Sequence, residues 1–130
     1  MDPSDSVRAL LRKADRALDD AGYLLADDRA EAAVNRAYYA AFYTARAALL
    51  MEDEEPNTHA GVLNRFSYHF VRTGRISEEI AQVLARAETD RNRADYDAFV
   101  TFDPETADDL LTEVRRFNAA VRRLLDAGRE

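Results

Sequence analysis

Helical periodicity along most of the chain is the sequence feature that most limits its fold. Apolar side chains recur at steps of three and four residues in four long stretches, the spacing that gathers them on one face of an α-helix. These stretches run from Asp2-Pro3 to about Ala26, from Asp27-Asp28 to about Met51, from Ser77 to near Phe99, and onward from Asp103-Pro104. No alternating pattern of useful length indicates a β-strand. The sequence therefore predicts an all-α fold.

A shorter helical stretch lies between the second and third of these. Its apolar residues are Val62, Leu63, Phe66 and Phe70, and it ends near Thr73-Gly74. Pro56 ends the helix before it, and Asn57 or Thr58 is available to cap the new one. We expect an up-and-down bundle of about five helices, four long and one short, with the short helix crossing or capping the others.

The composition fits one domain spanning residues 1–130. Apolar residues make up 47% of the chain and charged residues 33%, which is typical of a globular helical protein rather than a disordered one. Cysteine is absent, so the sequence offers no disulfide or thiolate metal ligand. The first residues lack the features of a secretion signal, and no run approaches the roughly 18 apolar residues of a membrane helix. We expect a cytoplasmic protein with no membrane contact.

The net charge of −7 argues against a general affinity for nucleic acids, because neutralisation of phosphates dominates non-specific binding. A local group of arginines can still bind RNA. Neither His59 nor His69 has a partner at metal-ligand spacing, and the sequence has no glycine-rich phosphate loop or nucleophile elbow. We therefore predict no metal and no cofactor, and the common nucleotide-hydrolase and acyl-transfer enzymes fit poorly.

Three segments together resemble one known family. They are Asn35–Tyr43 with its paired tyrosines, Thr58–Val62 followed by Phe66 and Phe70, and Arg91–Tyr96. Their order and approximate spacing resemble the small single-domain prokaryotic branch of the HEPN family, over roughly residues 5 to 127. The resemblance implies a helical bundle that forms a homodimer. It also implies a toxin-antitoxin-like or defence module in which the antitoxin partner is a minimal nucleotidyltransferase (MNT).

Active members of that family are metal-independent ribonucleases that use an Arg followed, after four to six residues, by a His. This chain departs from the pattern. The positions where the His would follow Arg91 hold Tyr96, Asp97 and Ala98, and those that would follow Arg93 hold Ala98, Phe99 and Val100. Metal-free RNA cleavage needs a group that titrates near neutrality, and Tyr, with a pKa of about 10, is poorly suited. We consider His59, from another helix, as the substitute.

The candidate catalytic residues are therefore Arg91, Tyr96 and His59. Arg91 would stabilise charge on the phosphate, and Asp95, four residues on, would hold its guanidinium in a fixed direction. The resemblance also implies that Tyr96, near the motif, is a candidate acceptor of adenylyl groups from the MNT partner. The sequence leaves a surface ion pair open as the plainer interpretation of Arg91 and Asp95.

Candidate residues for binding RNA or a nucleotide are Arg36, Tyr39, Arg93 and Asp95. Arg36 would reach a phosphate and Tyr39 would stack on a base, although the aromatic residues of this segment are most simply explained as core and interface side chains. Three functions remain open: a ribonuclease with an atypical site that lacks the motif His, a non-catalytic helical dimer that binds a nucleotide or a partner, and a plain helical scaffold.

Overall fold

The computed structural model describes residues 3–128, which are almost wholly helical. The helices are α1 (Pro3–Ala26), α2 (Ala30–Met51), α3 (His59–Phe66), α4 (Glu78–Tyr96) and α5 (Pro104–Ala127), and a π-helical turn (Ser67–Val71) continues α3. The described residues contain no strand. The predicted all-α bundle of four long helices and one short helix is therefore confirmed. Asp2, predicted to cap α1, lies outside the described residues.

Polar side chains cap three helices where the sequence predicts their starts. Thr58, Ser77 and Asp103 each accept a hydrogen bond from the backbone N–H three residues further on, at 2.9, 3.3 and 2.8 Å respectively. Pro104 follows as the first residue of α5, where its missing N–H costs nothing. These caps start α3, α4 and α5 at fixed points, which places the first residue of each helix reliably against its neighbours.

Helix α2 is the centre of the bundle, and it packs against α1, α3, α4 and α5. Small residues of α2 are buried on several of its faces. Its buried alanines are Ala30, Ala33, Ala37, Ala40, Ala41, Ala45, Ala47 and Ala48. Side chains this small allow neighbouring helix backbones to approach closely. Helix α2 is therefore the element through which the other helices are connected.

Two buried polar side chains share one acceptor at the centre of the bundle. The hydroxyl of Thr44 donates to the carbonyl oxygen of Ala40 at 3.0 Å, and the side-chain amide of Asn118 donates to the same oxygen at 3.3 Å. Asn118 lies on α5, so this hydrogen bond joins α5 to α2. The amide oxygen of Asn118 has no hydrogen-bond partner among residues 3–128.

The end of α4 differs from the prediction. We expected it near Phe99, but the helix ends at Tyr96. Asp97 leaves helical geometry with φ −94° and ψ 108°, and its carboxylate accepts a hydrogen bond from the backbone N–H of Phe99 at 2.9 Å. This local side-chain hydrogen bond offers the backbone an alternative to a further helical turn. None of the helices between residues 3 and 128 combines the length and apolarity that a membrane span requires.

Candidate functional site

Three helices converge on the side chain of Tyr38. Tyr38 lies on α2 and is completely buried. Its hydroxyl is hydrogen-bonded to Nδ1 of His59, the first residue of α3. The guanidinium carbon of Arg91, on α4, lies 5.0 Å from the centre of the Tyr38 ring and 5.7 Å from that of Tyr39. The structure thus brings His59 and Arg91, two predicted catalytic residues, to the same tyrosine.

Arg91 is buried, with only 8% of its surface exposed. Two tyrosine rings hold its guanidinium by cation–π attraction, which strengthens when water is excluded. Its Nη1 lies 3.8 Å from a carboxylate oxygen of Asp95, and its Nε is buried without a hydrogen-bond partner among residues 3–128. Arg91 is therefore a cation held in place with hydrogen-bonding capacity left unused.

A chain of polar contacts extends from Arg91 across to α2. The side-chain amide of Asn35 donates to both carboxylate oxygens of Asp95, at 3.0 and 3.3 Å, and its oxygen accepts a hydrogen bond from Nε of Arg36 at 3.0 Å. The guanidinium of Arg36 lies 5.0 Å from the centre of the Tyr39 ring. Arg36, Tyr39, Asp95 and Arg91, which the sequence singles out on two separate helices, lie in one connected group.

The surroundings of the cluster keep both the His59 imidazole and the Tyr38 hydroxyl uncharged. Burial lowers the pKa of His59, as does the nearby positive charge of Arg91, while Glu88 acts in the opposite direction. Burial raises the pKa of the Tyr38 hydroxyl, and the negative charge of Glu88 adds to this, while Arg91 opposes it. At neutral pH the imidazole of His59 is therefore in the uncharged form, which is the form that can accept a proton.

Aromatic stacking fixes the plane of the His59 ring. The ring lies parallel to that of Phe42, at 4.4 Å between centres and 15°, and it stacks more distantly on Tyr38 at 5.7 Å. Gly61 helps to place it, because a Cβ there would lie 2.9 Å from Oγ1 of Thr58, the cap of α3. The ring lines a cleft of about 390 Å³, and its Nε2 makes no hydrogen bond within residues 3–128.

Two predicted site residues lie away from this cluster. Tyr96, the last residue of α4, is 78% exposed. Its side chain leaves the helix about 140° around the axis from that of Arg91, because each residue turns the helix by about 100°. Arg93 is exposed, and its guanidinium lies 5.9 Å from the centre of the Phe102 ring. Within one chain, Tyr96 and Arg93 do not join Arg91 and His59.

Sequence reasoning missed Tyr38, Asn35 and Glu88 as members of the cluster. Glu88, Arg91 and Asp95 occupy positions i, i+3 and i+7 of α4, so a polar stripe on one helical face was a usable signal for Glu88. Tyr38 gave no such signal. A tyrosine four residues before Phe42 is equally expected on a buried apolar face. Its hydroxyl becomes part of a site only because His59, from α3, packs next to it.

Comparison with known proteins identifies the family of the chain. The model of the HEPN domain matches residues 7–124. The chain belongs to the HEPN family. This HEPN chain is 36% identical over 115 residues to a protein of Thermotoga maritima named UPF0332 protein, covering 88% of this chain and 87% of that protein. The resemblance predicted from the three sequence segments is confirmed.

Two further relatives of this HEPN chain come from Methanocaldococcus jannaschii, and both carry the name "putative toxin". One is 32% identical over 126 residues, which cover 95% of this chain and 92% of the relative. The other is 34% identical over 105 residues, which cover 81% and 71% respectively.

Proposed function

We propose that this HEPN chain is the toxin-like component of a cytoplasmic toxin-antitoxin or defence module, and that it cleaves RNA without a metal ion. The observation that carries the proposal is the cluster in which His59 is hydrogen-bonded to Tyr38 beside Arg91. It pairs a cation suited to phosphate with a neutral imidazole, although the motif position holds Tyr96 instead of His. The toxin names of two relatives support the biological setting.

In this proposal Arg91 binds the phosphate that is cleaved. The carboxylate of Asp95, which accepts hydrogen bonds from Asn35, lies beside the guanidinium, and the rings of Tyr38 and Tyr39 also contact it. Charge that develops on the phosphate oxygens during attack then meets a cation that is already oriented, which is the most effective form of electrostatic stabilisation.

His59 would transfer the protons. The 2′-hydroxyl oxygen of the ribose attacks the adjacent phosphorus, the bond from phosphorus to the 5′ oxygen breaks, and a 2′,3′-cyclic phosphate and a 5′-hydroxyl result. Nε2 of His59 accepts the 2′-hydroxyl proton and returns it to the departing 5′ oxygen. This requires the tautomer in which Nδ1–H donates to the Tyr38 oxygen, and the imidazolium formed keeps the same hydrogen bond.

The proposal includes a homodimer, as the family resemblance implies. A large aromatic side chain just beyond the end of α4 supports an interface there, because Phe99 is 97% exposed. Light scattering of the purified protein tests the assembly. A mass near twice the 14.7 kDa of the chain supports it, and a mass of one chain contradicts it.

The proposed antitoxin is an MNT-type nucleotidyltransferase that inactivates the toxin by modifying Tyr96. The hydroxyl oxygen of Tyr96 would attack the α-phosphate of ATP, lose its proton and release pyrophosphate. Intact mass after incubation with the transferase and ATP should increase by adenylyl groups. Tyr96→Phe should abolish the increase, while Tyr23→Phe, at a tyrosine that is 77% exposed, should retain it. An equal increase in both variants would contradict the assignment.

The decisive experiment is cleavage of a mixed RNA panel in the presence of chelator. We compare the wild type with Arg91→Ala and with Arg93→Ala, a matched arginine two residues further along α4. We expect Arg91→Ala to lose activity by about 100-fold or more, because an oriented charge on the transition state is worth that much. Arg93→Ala should remain within a few-fold of the wild type. Equal activity in all three proteins would exclude the proposed site.

A second candidate function is a non-catalytic dimer that binds a nucleotide or a partner. The burial of Arg91 favours it, since an arginine that is only 8% exposed offers little surface to a polymer. Under this alternative no protein of the panel cleaves RNA, and Arg36→Ala or Tyr39→Ala weakens nucleotide binding measured by calorimetry.

A further inference from the structure

The cleft beside His59 contains charged groups that the cluster does not use. Besides His59, it is lined by Phe42 and Arg46 from α2 and by residues of the loop between α2 and α3, among them Glu55 and Asn57. Its volume of about 390 Å³ lies at the lower end of the roughly 300–1,000 Å³ of ligand pockets. That size suits one nucleotide rather than a longer ligand.

The loop between α2 and α3 contains three glutamates, and they have different surroundings. Glu52 forms an ion pair with Arg75, and Glu54 forms one with Arg65 at 2.8 Å. Glu55 forms no ion pair and no side-chain hydrogen bond with any residue between 3 and 128, and it is the one that lines the cleft. Its carboxylate is therefore available to a ligand.

Arg46 is the corresponding cation. It is half-buried, its guanidinium carbon lies 6.0 Å from the centre of the Phe42 ring, and no carboxylate of the described part of the chain pairs with it. Asn57, also in the cleft, makes no side-chain hydrogen bond there either. One cavity thus contains a planar cation, a carboxylate and an amide, none of which makes a side-chain hydrogen bond with another residue between 3 and 128.

We propose that this cleft binds one guanine nucleotide of the RNA, next to the bond that His59 acts on. Arg46 binds a phosphate, because its guanidinium fork matches two phosphate oxygens. Glu55 accepts hydrogen bonds from the two adjacent N–H groups, N1–H and N2–H, on the Watson–Crick edge of guanine, and the amide of Asn57 donates to its O6. The rings of Phe42 and His59 form an apolar wall.

The choice of guanine follows from the carboxylate. Two neighbouring donors are needed to engage both of its oxygens, and guanine is the only common base that presents two on that edge. Adenine and cytosine offer one exocyclic amino group beside an acceptor nitrogen, and uracil offers one N–H flanked by two carbonyl oxygens, which would repel a carboxylate. This inference rests on the proposed RNA-cleaving function and names the base that the same site selects.

Calorimetry with the four 3′-mononucleotides tests the cleft without any cleavage step. We expect 3′-GMP to bind the wild-type protein about 10-fold or more tightly than 3′-UMP, since one bidentate pair discriminates by about that factor against the wrong base. Glu55→Gln should reduce that ratio to within about 2-fold, because its amide offers one acceptor instead of two. Glu105→Gln, at an exposed glutamate in the first turn of α5, is the matched control and should retain the ratio.

Arg46→Ala separates the phosphate from the base. It should weaken 3′-GMP binding to the affinity of guanosine, while the preference for guanine over uracil remains. Equal binding of all four mononucleotides by the wild type, or an unchanged ratio in Glu55→Gln with an unchanged melting temperature, would overturn the guanine cleft.

The cleft and the cleavage chemistry can fail separately. Selective 3′-GMP binding without cleavage of any RNA supports the cleft and contradicts the ribonuclease. Cleavage abolished by Arg91→Ala, with no guanosine enriched beside the cut sites of a random RNA, supports the ribonuclease and contradicts the cleft.

Discussion

The two histidines of the chain lie ten residues apart, one at each end of the short third helical stretch, and their surroundings are opposite. His59 is stacked on Phe42 and bonded to a neutral phenol, and burial lowers its pKa. His69, in the π-helical turn, is bonded to the carboxylate of Glu54, whose pKa this hydrogen bond lowers. The two histidines therefore differ in their partners, a neutral phenol for His59 and a carboxylate for His69.

The largest expected difference between the surroundings of His59 and those of His69 is in RNA cleavage. His59→Gln should reduce metal-free RNA cleavage by about 100-fold or more, the usual contribution of a general base. His69→Gln, with the same change at the other end, should stay within about 3-fold of the wild type. Initial rates on one RNA in chelator measure both. Comparable losses in the two variants would mean that His59 acts on the fold and not on the reaction.

A smaller effect is expected at the hydroxyl that orients His59. Tyr38→Phe keeps the ring and its contacts with Phe42 and Arg91 but removes the hydrogen-bond partner of Nδ1. We expect cleavage to fall by about 10-fold and the free energy of unfolding to change by no more than about 1.5 kcal/mol, since one hydrogen bond contributes about that much. Urea unfolding and initial rates are compared. An unchanged rate would show that the phenol is only packing.

The start of α3 can be loosened at a glycine. A Cβ at Gly61 would approach Oγ1 of Thr58 to 2.9 Å and Cβ of Pro56 to 3.1 Å, so Gly61→Ala should disturb the cap and destabilise the fold by about 1 kcal/mol.

Gly22→Ala, inside α1, is the control for this change. The atom nearest to its added Cβ is Nη2 of Arg115, at 3.9 Å, so we expect stabilisation by up to about 1 kcal/mol. Melting temperatures that shift in the same direction in both variants would contradict the assigned role of Gly61.

The smallest effects concern proton binding, and they separate the two regions by pH. The pKa of His59 is lowered from 6.5, so below about pH 6.5 the unfolded chain takes up a proton before the folded one, and stability falls as the pH falls. The pKa of Glu54 is lowered from 4.5, so its contribution is complete above that pH and is lost as the pH falls further. His59→Gln should remove the pH dependence of stability below about pH 6.5, and Glu54→Gln should remove the one below about pH 4.5. Urea unfolding at a series of pH values measures both.

Neighbouring charges should then move the His59 titration seen by NMR. Arg91→Gln removes a positive charge and should raise the pKa of His59, while Glu88→Gln removes a negative one and should lower it further. An unchanged pKa of His59 in both variants would mean that the two charges are too far from the imidazole to act on it.

The sequence predicted the bundle well because its signals are local. Apolar steps of three and four residues and the caps Thr58, Ser77 and Asp103 each depend on a few neighbouring residues. The end of α4 was predicted too late, because the hydrogen bond from the Phe99 amide to Asp97 competes with the helix in a way that periodicity does not register. Elements were thus predictable where one local signal dominated.

The candidate site was predictable only in part. Arg91 with Asp95, and Arg36 with Tyr39, could be paired from helical spacing. The joining of these pairs through Asn35, and the meeting of His59 with Tyr38, depend on how α3 and α4 pack on α2, which spacing within one helix does not determine. Tyr96 was chosen because it stands where the motif His would follow Arg91, and Arg93 because it is the other possible motif arginine. Within one chain the helical turn directs both side chains away from Arg91.

The burial of Arg91 has a consequence for the entropy of binding. An arginine on a mobile surface loses up to about 2 kcal/mol of side-chain rotational freedom when it is immobilised on a ligand. Arg91 is held against two rings and beside Asp95 in the folded chain, so that freedom is lost once, during folding. In the proposed complex with RNA, a phosphate would then meet a cation whose conformation is already chosen, and binding would cost little more than the ordering of the ligand itself.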